Sequence, residues 1–204
     1  MTPAAPDPSL NRALKRWWST PILSKKLVGV DDCNKALAEA ACQERKSAGS
    51  ASPPFHAWYS QRDALQEADF DVSALLSQFR SAVSRLQSAA APEGEQPKEF
   101  RVSCASRVAQ QGEFTPEQTL PGFVWTGVYT CYSEAGDGSA VLTLQDPRVG
   151  AEMVPVRGSN YGKPLGMPLN TSELLLFPAW LRAGMPPQTG AGTHVSLRLG
   201  IQFR

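Results

Sequence analysis

The sequence predicts an α+β protein whose main body is a β-sandwich or jelly roll, with helices covering one face of a sheet. Two observations carry that prediction. The first half holds two stretches of helical apolar spacing, whereas short strand-like runs succeed one another after Lys98. The 204 residues include 16 Gly and 17 Pro, and the C-terminal half shows no long helical period, as expected of strands joined by turns. That length, with 42% hydrophobic residues, suits one domain with a real core.

Taken in chain order, residues 1–10 read as an extended arm, because Pro3, Pro6 and Pro8 lack N–H groups and fix the backbone near polyproline geometry. Residues 11–204 read as one jelly-roll domain, with helices mainly in 31–90 and strands mainly in 100–204. Trp17 to Val28 is expected to enter as a strand. Asp31-Asp32 stands ahead of a helix from Cys33 to about Lys46, with Leu37, Ala40 and Ala41 at helical spacing. Ser47–Pro54 is a Gly/Ser/Pro loop. A second helix is expected over Val72–Ala89, where Leu75, Leu76, Phe79, Val83 and Leu86 form a stripe. The Ala91–Pro97 segment reads as an exposed linker. Strands are expected over Phe100–Ala105, Gly122–Tyr132, Ala140–Leu144, Leu174–Leu176 and His194–Phe203, separated by turn-rich stretches such as Glu134–Ser139 and Gly158–Gly166.

Several function classes are disfavoured. Twenty basic and 19 acidic side chains leave a net charge of +1, without the positive excess that nucleic-acid binding needs. No run approaches the roughly 20 apolar residues of a spanning helix, since Leu174–Leu181 is short and contains Pro178. The N-terminus lacks a signal-peptide apolar region, and its Lys15-Arg16 and Lys25-Lys26 pairs read as a solvated basic tail or a trace of organelle targeting. Cys33, Cys42, Cys104 and Cys131 form no C-x-x-C pair and read as reduced thiols of an intracellular protein, cytoplasmic or organellar.

Familiar catalytic arrangements are scarce. The two histidines, His56 and His194, have no ligand-spaced partner, and no nucleophile elbow, P-loop or dinucleotide fingerprint is present. Gly136-Asp-Gly138 reads as a turn. Asp146-Pro-Arg148 reads as a strand-end turn with an ion pair, and Trp125 and Trp180 read either as core or as surfaces for stacking a ligand.

Four blocks in order carry a resemblance. They are Gln118-Thr-Leu-Pro-Gly-Phe-Val-Trp-Thr-Gly-Val-Tyr129, Leu144-Gln-Asp-Pro-Arg148, Leu176-Phe-Pro-Ala-Trp-Leu-Arg-Ala-Gly-Met185 and His194-Val-Ser-Leu-Arg-Leu-Gly-Ile201. This series resembles the 2-oxoglutarate/Fe(II)-dependent oxygenase family, with its H-T-H-P-N-S-x-x-S-G-V-Y-Y block, D-P-R, F-P-S-W-L-x-H-x-V and R-I-S-I-x-F-N. Ser103-Cys-Ala before Gly112-Glu-Phe, and Thr20-Pro-Ile-Leu with its helix, also suit the family, so the likeness spans most of the chain. It implies a double-stranded β-helix with flanking N-terminal helices.

The departures from the family pattern fall at its chemical positions. The first H-x-H falls on Gln118 and Leu120, the distal histidine on Ala183, and the arginine that would hold the 2-oxoglutarate carboxylate on His194. Leu and Ala offer no donor atom, neutral Gln is a poor iron ligand, and imidazole cannot reproduce a guanidinium fork. The resemblance therefore implies no metal, no cofactor and no catalytic residue. The leading expectation is a catalytically inactive oxygenase-like protein kept as a structural or protein-binding subunit of a larger assembly. Two alternatives stand beside it. One is an active Fe(II)/2-oxoglutarate hydroxylase with unusual ligands, for example Glu117, Asp146 and His194. The other is a jelly-roll module binding a sugar or small metabolite in a residual pocket of Trp125, Tyr129, Arg148 and Trp180. Interface candidates are the arm with Arg12, Lys15, Arg16, Trp17 and Trp18, since aromatic and arginine side chains anchor interfaces. The loop Gly158–Gly166 completes that surface.

Overall fold

A computed structural model of the chain describes residues 20–49, 53–91, 99–148, 150, 153 and 162–203. The arm 1–10, the candidates Arg12, Lys15, Arg16, Trp17 and Trp18, the linker beyond Ala91 and the loop residues 158–161 lie outside the described residues.

The elements run β1 (Leu23–Lys26), α1 (Asp31–Ala48), β2 (Trp58–Tyr59), α2 (Ser73–Ala90), β3 (Phe100–Ala109), β4 (Thr115–Gln118), β5 (Trp125–Ser133), β6 (Ala140–Leu144), β7 (Leu165–Leu169), β8 (Glu173–Pro178), β9 (Ala183–Met185) and β10 (His194–Phe203). A six-stranded sheet in the order β1-β8-β5-β10-β3-β2 faces a four-stranded sheet in the order β4-β9-β6-β7. All ladders between these strands are antiparallel. This is the jelly-roll, double-stranded β-helix arrangement with two helices outside it.

Two apolar layers hold it together. On α1, Asn34, Leu37, Ala38 and Ala41 are buried, and on α2 Leu75, Phe79, Ala82, Val83 and Leu86, at the spacing that puts each set on one helix face. They pack with Cys104, Val108, Trp125, Tyr129, Leu174, Leu176, Val195, Leu197, Leu199 and Ile201 of the six-stranded sheet. Between the sheets lies a second cluster containing Val128, Leu142, Leu144, Leu169, Leu175, Phe177, Leu181 and Met185. Successive strand residues point to opposite faces, so β5 and β10 each serve both layers. Tyr129 donates to Asn34 Oδ1 at 2.6 Å, and Asn34 Nδ2 donates to Ser172 Oγ at 2.9 Å, tying α1 to the sheet through a buried polar chain. Gly127 lies where β5 passes β8 so closely that a Cβ would stand 2.4 Å from the Leu175 carbonyl oxygen.

Some expectations are corrected. Asp31 and Asp32 are the first residues of α1, not its cap; they lie in the first turn, with Arg45 and Lys46 in the last, which suits the helix dipole. The entering strand is confined to Leu23–Lys26 within the described part of Trp17–Val28. Strands β2, β4, β7 and β9 add to the runs that the sequence pattern predicts. Gly136 and Gly138, with φ of 86° and 76°, do form the turn-rich connection from β5 to β6.

Candidate functional site

The four-stranded sheet brings three of the sequence-selected positions together. Gln118 ends β4 and is the Cα partner of Ala183, which begins β9. Gln118, Leu120 and Ala183 all line a cavity between the sheets, with a volume of about 40 Å³. Its donor inventory at that rim is one neutral amide. An iron ion needs several imidazole or carboxylate ligands, and these residues do not fit one. Among the described residues no group of three or more His, Cys, Asp or Glu is placed to hold a metal. Glu117, Asp146 and His194 are not gathered into a ligand set. Glu117 accepts from Gln145 and lies 3.6 Å from Arg182, and Asp146 is bound by Arg148.

His194 is fully buried on β10, on the strand face turned toward the opposing sheet. Its Nδ1 lies 3.5 Å from Nη1 of Arg107 on β3. Guanidinium only donates, so Nδ1 accepts and the neutral ring carries its proton on Nε2, which has no partner among the described residues. Burial first, and the Arg107 charge second, push the His194 pKa down to about 3.

The sequence did not single out Arg107, Tyr59 or Arg198, yet all line the cavity with Ser196. Arg107 is 2% exposed, and desolvation lowers its pKa from the ordinary arginine value. Its Nε donates to Thr115 Oγ1 at 2.8 Å, and that hydroxyl lies 3.1 Å from the Tyr59 hydroxyl. Arg107 and Arg198 are absent from every ion pair among the described residues. Glu113, whose field reaches Arg107, is instead engaged by both terminal nitrogens of Arg45, at 2.9 and 2.6 Å. Arg198 lies over the Tyr59 ring, 4.6 Å from its centroid. Ladder register sets Thr130, Ser196 and Arg107 side by side across β5, β10 and β3, and the hydroxyls of Thr130 and Ser196 are buried without partners among the described residues. The available signal was position: Arg107 occupies the sandwich-facing parity of β3, between Ala105 and Ala109.

The suggested residual pocket of Trp125, Tyr129, Arg148 and Trp180 is not assembled. Trp125 and Tyr129 have the opposite parity and face the helices, where Trp125 Nε1 donates to Gln87 Oε1 at 2.8 Å. Trp180 is 56% exposed, and Arg148 pairs on the surface with Asp146, whose carboxyl it holds below the usual range. His56 packs on Phe114, with ring centroids 4.5 Å apart, and does not line the cavity.

No family model matches the chain, and no curated protein matches it. Solved structures do. The chain is similar to the non-heme α-ketoglutarate-dependent epimerase of nogalamycin biosynthesis, at a TM-score of 0.59 and 12% identity over 97% of this chain and 84% of that one. A prolyl-4-hydroxylase of Pseudomonas putida aligns at 0.53 and 14% identity, over 91% of this chain and 94% of the other. The viral collagen prolyl hydroxylase of Paramecium Bursaria Chlorella virus-1 aligns at 0.54 and 8%, over 90% and 96%. The chain shares the fold of these structures.

Proposed function

We propose that this chain, built on the oxygenase fold, is a catalytically inactive protein that serves as a structural or protein-binding subunit of a larger assembly. The observation supporting this reading is the juxtaposition of Gln118, Leu120 and Ala183 at the rim of the inter-sheet cavity, where donor atoms for iron are wanting. A packed fold retains its shape when its ligands are replaced, and its surface is then open to other use. Residues 11–204 act as the folded unit in this proposal, and the proline-rich arm 1–10 with Arg12, Lys15, Arg16, Trp17 and Trp18 supplies the contact to protein partners. No helix among the described residues is long and apolar enough to cross a membrane. An intracellular location and protein rather than nucleic-acid partners belong to the same proposal.

The test has two arms. Purified chain is loaded with Fe(II) and 2-oxoglutarate under reducing conditions and assayed for bound metal and succinate. Background succinate with substoichiometric iron is expected, whereas one iron per chain with turnover overturns the inactive reading. Deletion of residues 1–10 is then compared with the full chain by co-purification and melting. Lost partners with an unchanged melting temperature support the binding role. A full chain that stays monomeric and brings no partner overturns it.

A further inference from the structure

We propose that the inter-sheet cavity is a metal-independent site for a short-chain monocarboxylate, such as acetate or propionate, held between the guanidinium groups of Arg107 and Arg198. The inference does not require the scaffold role above.

Charge identifies the ligand class. Two cationic side chains border the cavity, its lining holds no Asp or Glu, and neither arginine is in an ion pair among the described residues. A buried charge left without a counter-charge is costly, so an entering anion gains directly. Guanidinium presents its donors in a planar fork matched to a carboxylate. The Ser196 hydroxyl, buried and without a partner among the described residues, lines the same cavity and supplies a further donor. The neighbouring Tyr59 and Thr115 hydroxyls hold the Arg107 side of the site in place.

Size and polarity narrow the class. The cavity of about 40 Å³ is little larger than one water's share of liquid volume, about 30 Å³, so it limits the ligand to a carboxylate head with at most a very short tail. Leu142, Phe177, Leu181 and Met185 form its apolar wall, a surface that favours an aliphatic tail over a second charged group. The site recruits its deeply buried cation from β3. The β10 position corresponding to the family arginine carries His194, which is not part of the lining.

The experiment titrates the full chain, stripped of metal by chelator, with propionate, and reads heat and melting temperature. Propionamide (the same shape without charge) and sulfate (charge without a tail) are the controls. Saturable propionate binding with a rising melting temperature is expected, with at least tenfold weaker binding of both controls. Arg107→Gln and Arg198→Gln should each weaken propionate at least tenfold. Ser196→Ala should weaken it severalfold. If Arg107→Gln does not fold, the partly exposed Arg198 variant decides the matter. Equal binding of propionamide or sulfate, an unaffected Arg198→Gln, or no saturation overturns the proposal and leaves the inactive-scaffold reading standing. Binding confined to 2-oxoglutarate together with Fe(II) overturns both.

Discussion

The Arg107 guanidinium sits 3.5 Å from Nδ1 of His194 inside the sandwich, where burial first, and that charge second, keeps the ring neutral. The combined effect should be visible in stability against pH. The His194 pKa falls from an ordinary 6.5 to about 3 on folding. Above pH 6.5 neither state protonates the ring, and its contribution is fully present. As pH falls below 6.5, the unfolded chain takes a proton that the native chain refuses, so stability declines until about pH 3. One such proton corresponds to a slope of about 1.4 kcal/mol per pH unit. Denaturant melts from pH 7 to 4 should show this slope reduced in His194→Gln. An unchanged slope would place the proton uptake elsewhere.

Introducing Gln118→His, Leu120→His and Ala183→His together supplies imidazoles where the cavity rim now has one amide. Metal affinity should appear, measured by titration with Ni(II) or Co(II), because the three positions border one cavity. Succinate formation should stay at background, since the His194 imidazole cannot supply the guanidinium fork that the resemblance expects on that strand. Absence of any metal binding in a folded triple variant would show that the three side chains do not converge.

The Tyr129–Asn34–Ser172 chain is buried, so its loss leaves polar atoms without partners. Asn34→Ala should destabilise by about 1–3 kcal/mol. Tyr129→Phe added to it should cost less than Tyr129→Phe alone, because the hydroxyl has already lost its acceptor. Strict additivity in a denaturation cycle would deny the link.

Gly127→Ala puts a methyl 2.4 Å from the backbone oxygen of Leu175. Backbone cannot swing aside as a side chain can, and β5 must part from β8. A loss of about 1–3 kcal/mol is expected in equilibrium unfolding. A neutral effect would mean that the two strands separate freely.

Legibility in the sequence followed burial pattern. Strands β6 and β10 are predicted end to end, because their alternating or near-continuous apolar runs state which face is inside. Strands β4 and β7 present mostly exposed residues, and β4 carries Pro116, so neither advertises itself. Strands β2 and β9 are only two and three residues long, too short for a period to register. Gln118, Leu120 and Ala183 were legible through the blocks around them. Arg107 and Arg198 were not, because a charged residue in a strand reads as solvent-facing until the opposing sheet is placed over it. Parity also separates Trp125 and Tyr129 from the cavity, a distinction that needs the helices in position.

The division of β10 between two layers has an evolutionary consequence. Val195, Leu197, Leu199 and Ile201 are nearly inaccessible and answer to the helical layer, whereas His194, Ser196 and Arg198 answer to the interior of the sandwich. Selection on the first set is selection for folding, and on the second for whatever the interior contacts. Drift in one set need not be corrected in the other, so a lineage can exchange cavity side chains at nearly constant stability. Tolerance to substitution along this strand should accordingly rise and fall with a period of two.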